Sequence, residues 1–326
     1  MDRRAGAGTW LAALVLLGML AGLAEAQPAS RPYRVGVLTE AWTASHPTVE
    51  GLKAGLGQVG LHEGRDVTFD IRFTEGSIEA LPAAAAALAR APVDLIFTIQ
   101  HAATRAAKDG TPSIPIVFTL VGDPAAAGLV SNLARPEGNV TGITSLHARL
   151  VAKRIEILRT LAPATRRVWV IHDGGDPSTQ PVVANALGAA QRLKLEILPR
   201  AVLTTGEIAL ALRDVRPGDA LLAPESSSLD IPAAILDASL ASRVPAAFTT
   251  ALWVGHGGLV SYGPDYFAQG VQAASLVAKL LRGARPHDVP VEGADKVDLA
   301  VNLKTADLLG LSVPRKILLR ADGFRR

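Results

Sequence analysis

The chain predicts two doubly wound, parallel-sheet α/β domains joined by a hinge, and three observations predict it. Short apolar segments that end in polar residues alternate with helix-spaced segments over residues 34–120, and the alternation starts again after residue 150. Apolar residues make up 49% of the 326, yet aromatics only 4%, with Ala, Leu and Val abundant. That composition suits helices packed on parallel strands and argues against a β-sandwich. A single small core does not fill this length, so two domains are expected.

The elements follow in order. Residues 34–39 read as a buried strand, and a loop over 40–47 leads to Pro47 at a first helical position. Val49, Leu52, Leu56 and Val59 then recur at helical spacing up to a Gly60 cap. A strand over 67–73, a helix over 78–90, a strand over 94–98, a helix over 100–108 and a strand over 114–120 complete a first right-handed βαβ series. The stretch 117–145 organises the rest: its strand breaks at Gly122-Asp123-Pro124, an Ala-rich helical piece is expected up to about Asn132, and 140–145 returns as a strand. A strand ending in such a turn presents free N–H groups and a carboxylate where open α/β sheets bind ligands. The second series reads as helices over 150–161, 181–193, 205–212 and 229–242 among strands over 167–172, 195–202, 219–225, 244–249 and 258–262. A long amphipathic helix over 266–282 follows. The tail carries strand-like pieces at 289–291 and 297–302 and a short helix at 305–309. The expected division is a leader over 1–26, a first lobe of 33–145 plus 284–326, a second lobe of 146–263 and a crossover helix over 264–283.

Residues 1–26 have the pattern of a cleaved secretory leader: Arg3 and Arg4, an apolar run from Trp10 to Leu23, and Ala24-Glu25-Ala26 before Gln27. The apolar run of about 14 residues is shorter than the roughly 20 that a membrane span needs. With no cysteine in the sequence, a lipid-anchored mature terminus is excluded, so a periplasmic, non-lipoprotein product is expected. The net charge of +3 carries no basic block of the kind nucleic-acid binding needs.

Several motifs resemble a bacterial family of ABC-transporter substrate-binding proteins that includes tryptophan- and tyrosine-binding members. They are residues 118–124 (FTLVGDP), 128–142 (GLVSNLARPEGNVTG), 259–265 (LVSYGPD) and 301–306 (VNLKTA), with 310–314 and 320–322 fitting its C-terminal end. The resemblance covers nearly the whole mature chain. It implies a type I periplasmic-binding-protein-like fold, an amino acid or related small carboxylate as ligand, and delivery to an ABC permease with its ATPase. Contact with the membrane is expected only through that permease. A monomer without cofactor or metal is expected. Two strand ends depart from the family pattern: Thr98-Ile99-Gln100-His101, where a small Gly-Thr or Gly-Ser turn is common, and His172-Asp173-Gly174, where Asn-Pro is frequent.

Candidate ligand residues cluster at strand ends. Asp123 suits a ligand ammonium or an N-cap, and the two roles are compatible. With Gly122 it forms the polar turn. Thr39, Ser45, Thr98, Thr119, Thr141 and Thr144 supply hydroxyls that hold a carboxylate together with helix N-termini, or simply cap turns. Trp42 stacks on a ligand or packs on its own loop. Gln100, His101, His172 and Asp173 lie at the two divergent strand ends, and Glu225 and Ser226 end another strand. Tyr262 and Asp265 fall where the chain crosses between domains. Gly55-Leu56-Gly57-Gln58-Val59-Gly60 matches a dinucleotide fingerprint but ends a helix instead of opening one, so it is rejected. The seven histidines show no metal-ligand spacing. Competing functions are a periplasmic ligand sensor, a hydrolase or lyase using Asp123, Glu225 and Ser226, and a repressor effector domain. The low aromatic content argues against a fully aromatic ligand cage and keeps a small or aliphatic acid open.

Overall fold

The computed structural model describes residues 31–41, 43–226 and 229–325. The leader expected over 1–26 and the candidate Trp42 lie outside the described residues. Tyr33 to Arg326 form one compact unit built on two sheets.

In the first sheet β1 (Tyr33–Thr39) is followed by α1 (Pro47–Gln58), β2 (Val67–Phe73), α2 (Leu81–Arg90), β3 (Leu95–Ile99), α3 (His101–Gly110), β4 (Ile116–Val121) and β5 (Val140–Thr144). Its spatial order is β2-β1-β3-β4-β5, closed by the two-residue strand β11 (Glu292–Gly293), and every pairing is parallel. β3 and β4 are buried along their whole length because helices cover both faces. Val35 and Val37 point toward α1, while Leu38 points toward Leu81 and Leu88 of α2, so one strand feeds two core layers.

The second sheet begins after α4 (His147–Leu161) with β6 (Arg167–Asp173), then α5 (Gln180–Leu193), β7 (Glu196–Val202), α6 (Thr205–Leu212), β8 (Asp219–Leu222), α7 (Ile231–Ser242), β9 (Ala246–Phe248), α8 (Ala251–Gly255) and β10 (Val260–Pro264). α9 (Tyr266–Leu281) returns to the first lobe. β12 (Val297–Asn302), α10 (Leu303–Leu308), α11 (Arg315–Leu318) and β13 (Gly323–Arg325) end the chain. The order is β7-β6-β8-β9-β10-β12-β13, antiparallel only where β12 meets β10. In both sheets the chain reverses its direction of winding at one place, between β1 and β3 and between β6 and β8. The carboxyl ends beside such a switch point form the crevice in which open α/β sheets take ligands.

Three expectations change. The tail does not return to the first lobe as a whole: only Glu292–Gly293 pairs there, whereas β12 and β13 extend the second sheet. Leu299 and Val301 drive that choice by entering the second-lobe core beside Val168 and Leu259. The Ala-rich piece after Pro124 makes one turn and stops. Gly128 turns left-handed with φ 65°, and Leu129 N–H closes back on Pro124 O at 2.9 Å, a helix-ending pattern. The short helices α8 and α11 and the strand β13 carry too few residues for periodicity to announce them.

α9 seats on α1 through glycines. A Cβ on Gly51 would lie 2.0 Å from Phe267 O, and one on Gly270 would lie 2.1 Å from Thr48 O, so the two helix backbones touch. The first glycine of the rejected fingerprint serves the same crossing, since a Cβ on Gly55 would lie 2.7 Å from the Ala274 Cβ. Gly270→Ala is expected to destabilise the protein by about 2 kcal/mol or more, because backbone cannot yield as a side chain does. Gly57→Ala, on the same α1 but meeting only His62 at 3.8 Å, is expected to gain about 0.5–1 kcal/mol. Urea midpoints for the two variants check the contrast.

Candidate functional site

The carboxyl ends of the two sheets face each other across a narrow cleft, part of it open to solvent. Residues beside both switch points line it. Gln100 and His101 follow β3, and Asp176, Thr179, Glu225 and Ser226 follow β6 and β8. Leu120, Gly122, His147, Arg154, Thr249 and Tyr266 complete the polar part of the wall or its margin, with Val182, Leu222 and Pro224 as apolar surface.

Arg154 is the most demanding of these groups. It lies on the apolar stripe of α4 and is 2% exposed. Its Nε donates to Tyr262 O at 2.7 Å and its Nη1 to His147 O at 3.2 Å, leaving Nη2 buried without a partner. Burial lowers its pKa to about 10, against the pull of Glu225, so it stays charged at neutral pH. A charge placed so deep needs a counter-charge, and Glu225 supplies it. Glu225 Oε1 accepts from the Thr249 hydroxyl and from the Tyr266 hydroxyl at 3.4 Å. Desolvation still raises the Glu225 pKa, with Thr249, Arg154 and Tyr266 opposing it. Tyr266 is itself held well above the usual phenol range by burial and by Glu225. It stacks on His46 with ring centroids 5.9 Å apart.

A second carboxyl group joins them. Glu40 follows β1 directly, and its Oε2 is buried without a hydrogen-bond partner. Burial first, and the Glu225 charge second, raise its pKa to about 8. His46 and His147 are driven the other way by burial, to about 4 and about 3, and are neutral at physiological pH. His101 is also lowered by burial, with Asp176 opposing.

Four non-glycine residues at the first lobe's strand ends are left-handed: Glu75 with φ 52°, Gln100 with φ 72°, Leu120 with φ 57° and Leu146 with φ 56°. Such residues cost about 1–3 kcal/mol each and gather where geometry serves a site. Leu120 N–H is met by Gln269 Oε1 at 3.4 Å, while the Gln269 Nε2 is buried and unpartnered.

The sequence candidates divide. Gln100, His101, Gly122, Glu225 and Ser226 line the cleft. His172 and Asp173 stand just behind it: His172 Nδ1 meets Thr179 Oγ1 at 3.3 Å, and Asp173 Oδ2 accepts from Ser226 Oγ at 2.9 Å. Asp123 lines a neighbouring groove with Gly122, Thr144 and Arg149 and caps its own turn, accepting from Ala125 and Ala126 N–H at 3.1 and 3.0 Å. The threonines mostly tie backbone. Thr39 accepts from Ala41 N–H, Thr98 pairs with Thr104, Thr119 donates to Thr98 O, Thr141 to Val289 O and Thr144 to Gly122 O. Ser45 is exposed. Tyr262 offers its carbonyl to Arg154, and Asp265 caps α9 and pairs with Lys296 at 2.6 Å. Sequence reasoning missed Glu40, His46, His147, Arg154, Asp176, Thr249, Tyr266 and Gln269. Arg154 alone carried a signal, a cation on an apolar helix stripe.

Among the described residues no cluster of His, Cys, Asp and Glu suits a metal, and no helix is long and apolar enough to cross a membrane.

Two lobes closing sheet ends over a charged cleft define a type I, periplasmic-binding-protein-like fold. The chain belongs to the ABC transporter substrate binding protein family, whose profile matches residues 41–324. It is 26% identical over 289 residues to a tyrosine-binding protein of Clostridioides difficile, covering 85% of this chain and 82% of that one. A conserved domain protein from Vibrio cholerae superposes with a TM-score of 0.81 at 25% identity, covering 90% of this chain and all of that one. An ABC domain from Streptococcus pneumoniae in complex with L-Trp gives 0.79 at 24% identity, covering 90% and 99%. Members of the family are solute-binding proteins, so the hydrolase reading built on Asp123, Glu225 and Ser226 is set aside.

The Glu40 carboxyl makes stability pH-dependent, in the same direction as Glu225, whose pKa burial also raises. A carboxyl whose pKa is raised on folding stabilises below its unfolded value, and the contribution is lost as pH rises through the folded value. The buried histidines act only below about pH 6.5, where their unfolded forms begin to protonate. Between pH 7 and 9 the ligand-free protein is therefore expected to lose roughly 1 kcal/mol through Glu40. Glu40→Gln is expected to flatten that decline in denaturant titrations.

Proposed function

We propose that this chain is an exported receptor that holds an amino acid between its lobes and presents it to an ABC permease. One observation carries the ligand class: Arg154 on the cleft wall keeps its Nη2 buried without a partner, and Glu40, close enough to feel the charge of Glu225 on that wall, keeps its Oε2 buried likewise. Each awaits the opposite end of a zwitterion. Arg154 takes the ligand carboxylate, while Glu40 and Glu225, from opposite lobes, take the ammonium, as charge-assisted hydrogen bonds in a site shielded from water. The C. difficile relative named as tyrosine-binding and the L-Trp-bound neighbour support this ligand class.

Three chain passages join the lobes, after β5, after β10 and between β11 and β12. They suit a hinge in which the ligand favours closure to the extent that it binds the closed form more tightly. The leader pattern over 1–26 supports export, and the missing cysteine supports a soluble periplasmic product.

Calorimetric titration of the chain from Gln27 onward with the standard amino acids tests the reading. At least one is expected to bind. Arg154→Met and Glu225→Gln are each expected to weaken it by about 1.5–3 kcal/mol, or about tenfold to a hundredfold. Undiminished binding by both variants would sink the assignment of the poles.

A further inference from the structure

A second polar cluster lines the same cleft, beyond Arg154 and Glu225, and it centres on Gln100. This residue joins β3 to α3 with φ 72° and ψ 172°, a conformation that glycine adopts freely and other residues scarcely at all. Its backbone is fixed by ordinary means. The N–H donates to Thr119 O at 2.9 Å, and the carbonyl accepts from the Thr104 hydroxyl at 2.6 Å. Glycine would meet every one of these requirements without strain. What glutamine adds is a side chain on the cleft wall whose carboxamide makes no hydrogen bond to the described residues.

One neighbour, His101, shares the pattern. His101 opens α3 on the same wall, and its Nδ1 is buried without a partner. Across the cleft stands Asp176, with Thr179 beside it. The Asp176 charge reaches the His101 ring, so the two walls are close at this point. The cluster thus offers a carboxylate, which only accepts hydrogen bonds, beside a carboxamide and a neutral imidazole, each of which both accepts and donates. An indole or benzyl side chain seated there would strip water from the Gln100 carboxamide and return no hydrogen bond to its oxygen.

We propose that the ligand is an amino acid whose side chain ends in a donor-rich polar group, an ammonium, guanidinium or carboxamide, and that Gln100 is the residue that selects it. The inference rests on the amino-acid reading above and extends it to the ligand's distal end. A hydrogen-bonding site rejects an analogue lacking the group far more strongly than an apolar pocket rejects a missing methylene.

Calorimetry on the chain from Gln27 onward, with Arg, Lys and Gln set against Trp, Phe and Leu, tests it in wild type, Gln100→Ala and Gln100→Gly. Wild type is expected to prefer a member of the first group by about thirtyfold or more. Gln100→Ala keeps the strained backbone and removes the side chain, so affinity for that ligand is expected to fall about tenfold or more while the apolar amino acids are unaffected. Gln100→Gly is expected to lose the same affinity and yet melt about 2 °C or more higher. A merely structural glutamine would move the melting temperature and leave the ligand order unchanged, and that result overturns the proposal. Tight binding of Trp or Phe by wild type, with Arg, Lys and Gln weak, overturns it while leaving the amino-acid reading intact. Binding of no amino acid overturns both.

Discussion

Arg154 is a fixed positive charge set 2% exposed in the seam of two sheets, and much of the cleft answers to it. A lone buried guanidinium is too costly to keep. The fold meets the cost with two backbone carbonyls and the carboxylate of Glu225, which Thr249 and Tyr266 orient in turn. The backbone adapts as well. Gly263 stands where a Cβ would lie 1.7 Å from Thr249 O and 3.5 Å from Arg154 Nη2, so only glycine lets β9, β10 and the guanidinium come together. Satisfaction stops one donor short, and Nη2 stays buried without a partner.

The first lobe contributes a different kind of constraint. Its strand ends at Gln100, Leu120 and Leu146 are held left-handed, and its α1 is locked against α9 by glycine contacts. The lock matters for function because Tyr266, the first residue of α9, carries the hydroxyl that reaches Glu225 in the second lobe. Glu40 then approaches Glu225 from the first lobe, so like charges meet across the cleft until a cation or a proton separates them.

Most of the fold was legible in the sequence. The apolar strands and helix-spaced segments gave every long element, since burial on both faces leaves a continuous apolar run and burial on one face leaves a 3.6-residue period. The tail was misassigned because a strand's pattern says that it is buried, not in which sheet, and Val297–Asn302 finds its partner far away in sequence at β10. The site was read only in part. Gln100, His101 and Glu225, read from their places at strand ends, line the cleft, and Asp123, read as ligand partner and N-cap together, caps its own turn beside it. Glu40 sits equally close to a strand end and gave no local signal. Its importance comes from facing Glu225, a pairing that only the meeting of two lobes creates. The conformation of Gln100 was likewise invisible, because positive φ at a non-glycine residue is imposed by its surroundings.

The central claim is that Glu40 and Glu225 receive an ammonium, and the protons released on binding test it most directly. Near pH 7.5, titration calorimetry with the bound amino acid in buffers of different ionisation enthalpy counts them. His46 and His147 are already neutral there, and Arg154 stays charged, so release comes from the carboxyl pair. With Glu40 half-protonated at about pH 8, the account predicts release of ~0.7 proton or more per ligand. A binding enthalpy that does not change with buffer, or a net uptake of protons, would contradict it.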